Sequence, residues 1–271
     1  MIPDLAWHET RSTAAGAPAV LLLHGFLGSA REWEDVAQAL TPTFRCLCPD
    51  LPGHGLSRAP EACGMTEVAH TIINHLDRLG VSRCAVVGYS MGGRLALFLA
   101  AHYPKRFTSA VLESASPGLR DEAERRQRYQ DDYELARRLE VLGEDKEEFA
   151  KFLRDWFAQP LFKTLADKPE SLNQLIAQRC EENFPRCIAA GLRAMSVGRQ
   201  PSLWEILLQY RTPTLLIVGE EDRKFRFIAE EMGERCSSMA TKVFPGCSHN
   251  VHFENPGGYT TVLKHFLEAT T

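Results

Sequence analysis

Cys84-Ala85-Val86-Val87-Gly88-Tyr89-Ser90-Met91-Gly92-Gly93-Arg94-Leu95-Ala96-Leu97 is the stretch whose reading decides the fold. Four small apolar residues run into a glycine-flanked serine, and an alanine- and leucine-rich segment runs out of it. Residues 84–87 read as a buried strand and 91–103 as a helix, which places G-x-S-x-G at a strand-to-helix turn. A turn this tight needs small residues on both sides of the serine, and it lifts the hydroxyl above the carboxyl edge of a sheet. The positive end of the helix dipole favours negative charge developing there. A glycine-rich turn with an incidental serine is the competing reading, and it leaves the strand–helix setting without a cause.

Further apolar runs lie at 19–23, 44–48, 109–112, 214–218 and 241–244. Helical patterns separate them at 31–40, 66–79, 225–235 and 257–269. Runs without alternation, each followed by a helix, indicate parallel strands buried on both faces. The expected fold class is α/β, a mostly parallel doubly wound sheet. From about Pro117 to Arg211 no strand pattern appears, and Pro160, Pro169, Pro185 and Pro201 divide short helices there. This predicts a helical cap at 117–211 inserted into a core made of 1–116 and 212–271.

A serine hydroxyl is a weak nucleophile or base until a neighbour takes its proton. With this turn, chain order should be serine, acid, histidine. His249 follows the last strand in Pro245-Gly246-Cys247-Ser248-His249-Asn250 and is favoured over His252, which reads as a loop or helix-start contact. Asp222, ending Val218-Gly219-Glu220-Glu221-Asp222, is the favoured acid, and Glu113 at the end of the preceding strand is the alternative. The acid's task is to fix the imidazole tautomer and stabilise its protonated form. His24-Gly25-Phe26-Leu27-Gly28 supplies a glycine-flanked loop, so the N–H groups of Phe26 and Met91 are the expected oxyanion hole. Asp50-Leu51-Pro52-Gly53-His54-Gly55-Leu56-Ser57 reads as a structural turn beside it.

The chain has 271 residues, 44% hydrophobic and 24% charged, enough for a sizeable core. A net charge of −4 offers no general attraction to nucleic acid or an anionic membrane. No apolar run approaches the roughly 18 residues of a membrane span, and the start shows no basic segment leading into an apolar one. The eight cysteines include no C-x-x-C and read as reduced, buried small hydrophobes, so the cytosol is the expected address.

The H-G-F, D-L-P-G-H-G-x-S and G-Y-S-M-G-G-R segments and the terminal G-x-x-H-x-x-H-x-E-N-P resemble the α/β-hydrolase superfamily. Narrower still are Ser116-Pro117-Gly118-Leu119 with Arg125 and Arg128, Asp155-Trp156-Phe157-Ala158-Gln159-Pro160-Leu161-Phe162, Gln200-Pro201-Ser202-Leu203-Trp204 and Gly219 to Phe225. In this order they resemble the 2-succinyl-6-hydroxy-2,4-cyclohexadiene-1-carboxylate synthases over nearly the whole chain. That resemblance implies a lyase of menaquinone biosynthesis releasing pyruvate from a cyclohexene with succinyl, carboxylate and enolpyruvyl groups. The serine would act as a base, no acyl-enzyme would form, and neither metal nor organic cofactor is implied.

A small-molecule polycarboxylate needs converging cations, and the arginine fork suits carboxylates. Arg94 lies one turn past the serine, and Arg125 and Arg128 share a helix face. Arg179 is carried over although the spacing before it departs from the family pattern. Tyr89, Trp156 and Phe157 are candidates for lining the pocket. From the residues alone, Arg120, Arg125, Arg126 and Arg128 among Asp121, Glu122, Glu124, Asp131 and Asp132 equally describe a solvated, salt-bridged helix, and Trp156 and Phe157 equally describe core. Two other functions stay open on the same fold: an esterase or carbon–carbon bond hydrolase for acidic small molecules, and a noncatalytic binding protein, which would have no need of three triad members.

Overall fold

Successive side chains of the central strands go to opposite faces of one sheet, and both faces are apolar, which is why the runs in the sequence show no alternation. The computed structural model describes residues 3–10, 12, 14, 16–60 and 63–271. Met1 and Ile2, where the core assignment and the leader reading begin, lie outside them. Strands β1 (Trp7–Thr10), β2 (Ala19–Leu23), β3 (Arg45–Pro49), β4 (Cys84–Tyr89), β5 (Phe107–Glu113), β6 (Thr214–Gly219) and β7 (Met239–Phe244) form one sheet in the order β1-β3-β2-β4-β5-β6-β7. All pairings are parallel except that of β1 with β3.

Helices α1 (Glu34–Leu40), α2 (Met65–Arg78) and α3 (Met91–His102) connect the first strands. Leu21 and Leu23 of β2 and Val86 of β4 share a core with Val68, Ile72 and Leu76 of α2 and Leu95 and Leu99 of α3. Val20 and Leu22 of β2 and Val87 of β4 face the other way, against Val36 and Leu40 of α1. The alternation is thus present in space and masked in the sequence because both directions lead to a core.

Strand β1 has no counterpart among the apolar runs. Trp-His-Glu-Thr is half polar, with two exposed and two half-buried residues at the sheet edge, and a search for two-faced burial passes over it.

Between β5 and β6 come α4 (Glu122–Leu142), α5 (Lys146–Phe157), α6 (Lys163–Ala166), α7 (Pro169–Glu182) and α8 (Pro185–Ala194), with no strand among them. They bury an apolar cluster of their own around Leu139, Phe149, Leu153, Leu165 and Ile188, and Leu27 of the core joins it. Leu203, Trp204, Leu207 and Tyr210, near the end of the inserted segment, join the sheet core instead. The chain closes with α9 (Arg223–Arg235), α10 (Val251–Glu254) and α11 (Pro256–Thr270). All eight cysteines are free thiols; burial pushes those of Cys46 and Cys84 up to about 12.

Candidate active site

From β2 the chain winds outward to β3 and then returns across β2 to β4, so the crevice above the carboxyl ends of β2 and β4 is where the winding reverses. Ligands of open α/β sheets bind in such crevices. Leu23 pairs with Gly88, which sets the loop after Leu23 beside the turn after Gly88. A Cβ on Gly88 would lie 2.3 Å from Gly92 O, and one on Gly92 would lie 2.2 Å from Leu23 O. Both glycines of the turn are therefore required by backbone contacts. Ser90 itself sits at φ 49°, a strained conformation for a side chain with a Cβ.

The hydroxyl of Ser90 lies 3.0 Å from Nε2 of His249, and Nδ1 of His249 lies 2.6 Å from Oδ2 of Asp222. A carboxylate can only accept, so the ring proton is on Nδ1, and Nε2 is left to accept the serine O–H. The other oxygen of Asp222 accepts from the N–H of Phe225 and caps α9. The rings of Phe225, Tyr89 and Phe162 surround the imidazole, with centroids 4.7, 5.5 and 5.7 Å away. The alternative acid and the alternative histidine pair with each other instead: Glu113 accepts from both the backbone N–H of His252, at 3.0 Å, and its Nδ1, at 2.8 Å.

In the loop after β2, the N–H of Gly25 donates to Oε2 of Glu32 and that of Leu27 to Nε2 of His54. Among the described residues, the N–H groups of Phe26 and Met91 have no protein acceptor. A Cβ on Gly25 would lie 2.5 Å from the ring of Tyr89, so only glycine lets the loop settle against the turn. Asp50 accepts from the N–H groups of Ala30 and Leu56, and His24 accepts from that of Leu51. The second turn thus braces the loop.

A cavity of about 330 Å³ opens above the serine, bounded by Phe26, Tyr89, Ser90, Met91, Trp156 and His249 on its core and cap sides. Arg94 and Arg128 also line it. The guanidinium of Arg94 is held by Oε1 of Gln200 at 2.7 Å and the carbonyl of Met195 at 2.8 Å. Burial, aided by Arg128 nearby, lowers its pKa to about 10, which leaves it cationic at neutral pH. Arg128 donates to Asp132 at 2.8 Å, while Arg126 pairs with Glu122 and Arg120 with Glu231. Salt bridges therefore engage all three of these arginines, and of the three only Arg128 also lines the cavity.

Arg179 and Phe157 are not brought to the cavity. Arg179 is buried in an ion pair with Glu32 at 2.5 Å, with its guanidinium carbon 5.7 Å from the ring of Phe157. Phe157 belongs to the apolar cluster of the cap. Phe157 ends α5 and Arg179 lies on α7, and the two side chains meet in the protein interior, where the carboxylate that satisfies Arg179 comes from residue 32. Sequence reasoning gives no role to Lys224 and reads Asp132 only as a carboxylate of a salt-bridged helix, yet both also line the cavity. The signal for Lys224 was its place in the first turn of the helix that Asp222 caps, at the same sheet edge as the serine. Among the described residues no cluster of histidine, cysteine or carboxylate side chains is arranged to hold a metal ion, and no helix is long and apolar enough to cross a membrane.

Residues 18–256 match the family model of the alpha/beta hydrolase fold. A relative from Enterobacter sp. (strain 638), named 2-succinyl-6-hydroxy-2,4-cyclohexadiene-1-carboxylate synthase, is 34% identical over 96% of this chain and 95% of its own. One from Bacillus subtilis (strain 168), named as a putative enzyme of the same kind, is 34% identical over 92% of this chain and 90% of its own. The solved structure of MenH from S. aureus superposes with a TM-score of 0.89 at 28% identity, over 97% of this chain and 98% of that one.

Proposed function

We propose, from the premise that this chain belongs to the alpha/beta hydrolase fold family and within it to the 2-succinyl-6-hydroxy-2,4-cyclohexadiene-1-carboxylate synthases, that it is a lyase eliminating pyruvate from 2-succinyl-5-enolpyruvyl-6-hydroxy-3-cyclohexene-1-carboxylate in menaquinone biosynthesis. Ser90, His249 and Asp222 are the catalytic residues of this reading. His249 draws the proton of Ser90, and the serine oxygen takes the proton from the ring carbon that bears the succinyl group. The electron pair left on that carbon is conjugated with the succinyl carbonyl, so negative charge develops on its oxygen. The N–H groups of Phe26 and Met91 are the donors for that oxygen, with a loss of roughly 3–4 kcal/mol for each one removed. As the pair moves into the ring, the 3-ene becomes the 2,4-diene and the carbon–oxygen bond to the enolpyruvyl group breaks. The departing enolate picks up a proton and becomes pyruvate, and no covalent intermediate is required.

The observation that carries this reading is a half-buried cation, Arg94, in the wall of the cavity that holds the Ser90 hydroxyl. Arg94 and Arg128, with Tyr89 and Trp156 beside them, are the proposed substrate contacts, and Lys224 is a third cation for a substrate with three carboxylates. A coupled assay of pyruvate release tests the reading. Ser90→Ala is expected to abolish release. Arg94→Ala is expected to lower kcat/KM on the order of 10²-fold, the equivalent of a charged hydrogen bond of about 3 kcal/mol. Protein that leaves the substrate untouched while hydrolysing simple esters with burst kinetics would be a hydrolase, and the lyase assignment would be lost.

A further inference from the structure

The two residues that flank Phe26 are both held from the cap. The N–H of Gly25 donates at 3.0 Å to Oε2 of Glu32, whose other oxygen accepts from Arg179 at 2.5 Å. The carbonyl of Leu27 accepts from Nδ2 of Asn183 at 3.2 Å, and Oδ1 of the same amide accepts from the N–H of Gly55 at 3.0 Å. Arg179 and Asn183 stand four residues apart at the C-terminal end of α7, and both are buried. Asn183 thereby grips both this loop and the turn of residues 50–57 with a single side chain.

Between the grips on Gly25 and Leu27 lies the peptide that joins Gly25 to Phe26. Its carbonyl accepts from the N–H of Gly28 at 3.1 Å and from Nδ1 of His24 at 2.8 Å. A trans peptide is planar, so fixing the carbonyl aims the N–H of Phe26 the opposite way. Leu27 holds φ at 68°, a conformation a leucine keeps only where its surroundings enforce it. Burial alone would raise the carboxyl of Glu32, but Arg179 beside it, with His252 and His24 farther off, holds it below the usual range. The carboxylate therefore stays ionised and remains a strong acceptor for Gly25.

We infer that Arg179 and Asn183 are positioning residues: through Glu32 and Leu27 they set the direction of the Phe26 N–H and so couple the cap to stabilisation of the developing oxyanion. The inference rests on the proposed role of that N–H and assigns Arg179 a task other than binding substrate. An oxyanion donor is worth about 10²- to 10³-fold in kcat when lost, so a misdirected one should cost about 10- to 100-fold.

The test measures pyruvate release and, separately, the rate at which a fluorophosphonate modifies Ser90, followed by intact mass, in wild type, Arg179→Met, Arg179→Lys and Asn183→Asp. Arg179→Met and Asn183→Asp are expected to lower kcat about 10- to 100-fold with KM within about threefold, and to slow phosphonylation to a similar degree. Arg179→Lys, which restores the charge beside Glu32, should recover most of kcat. A raised KM with kcat intact in Arg179→Met would overturn the inference and return that residue to the substrate. Folded variants with wild-type kcat and phosphonylation rate would overturn it as well. Asn183→Asp keeps an oxygen for the N–H of Gly55 but sets an acceptor against the Leu27 carbonyl in place of the donor, and this separate site guards against a Met variant that fails to fold. If wild type modifies normally at Ser90 yet releases no pyruvate, the lyase reading falls, and the phosphonylation rates alone decide the role of Arg179 and Asn183.

Discussion

The two oxygens of Asp222 are divided between the imidazole of His249 and the first turn of α9. Asp222→Asn can keep the cap through its amide oxygen, but its NH₂ group would face a ring nitrogen that also carries a proton. The imidazole must then change tautomer or turn, and Nε2 no longer accepts from Ser90. We expect kcat to fall roughly 10⁴-fold with little change in melting temperature, measured by pyruvate release and calorimetry. Asp222, His249 and Ser90 were legible in the sequence because a triad restricts residue type, chain order and place at the sheet edge together. Arg179 was not, since an arginine on an amphipathic helix looks the same whether it faces a ligand or a buried carboxylate. Its partner, Glu32, lies 147 residues away, and no local pattern joins them.

At the level of elements, six strands could be read from apolar runs and the seventh could not, because the four residues of β1, Trp-His-Glu-Thr, contain no apolar run and none of them is fully buried. The helices of the inserted segment were legible as a group through their prolines. Which of their aromatic residues face the cavity was not, as Trp156 and Phe157 are adjacent and only the first reaches it. The cluster around Leu153, which is fully buried between α5 and its neighbours, makes a testable unit. Leu153→Ala should cost about 2–4 kcal/mol of unfolding free energy by the transfer and cavity costs together, read from urea denaturation. If the cost is below about 1 kcal/mol, these helices lack a tightly packed interior of their own.

Across the whole molecule, buried histidines govern how stability follows pH, and they do so with opposite signs. Burial pushes His24 below its ordinary value and His54 well below it. The unfolded chain binds protons at these sites more readily, so stability is lost as pH falls from about 6.5 through the folded values. Burial would lower His252 too, but the Glu113 carboxylate outweighs it and raises that pKa. Its contribution is fully present below about 6.5 and disappears as pH rises through the folded value. Urea midpoints are therefore expected to peak near neutrality, and His252→Asn should flatten the alkaline side while leaving the acid side in place. The helices between β5 and β6 leave and return at two adjacent, hydrogen-bonded strands, whereas Ser90, Asp222 and His249 all belong to the surrounding scaffold. Recombination between relatives could thus exchange the whole segment as one cassette without severing the sheet. A hybrid whose donor segment lacked the arginine and asparagine at the end of α7 would inherit a new specificity together with a poorly aimed amide, so successful chimeras should be those in which the graft and the residue-32 carboxylate travel as a matched set.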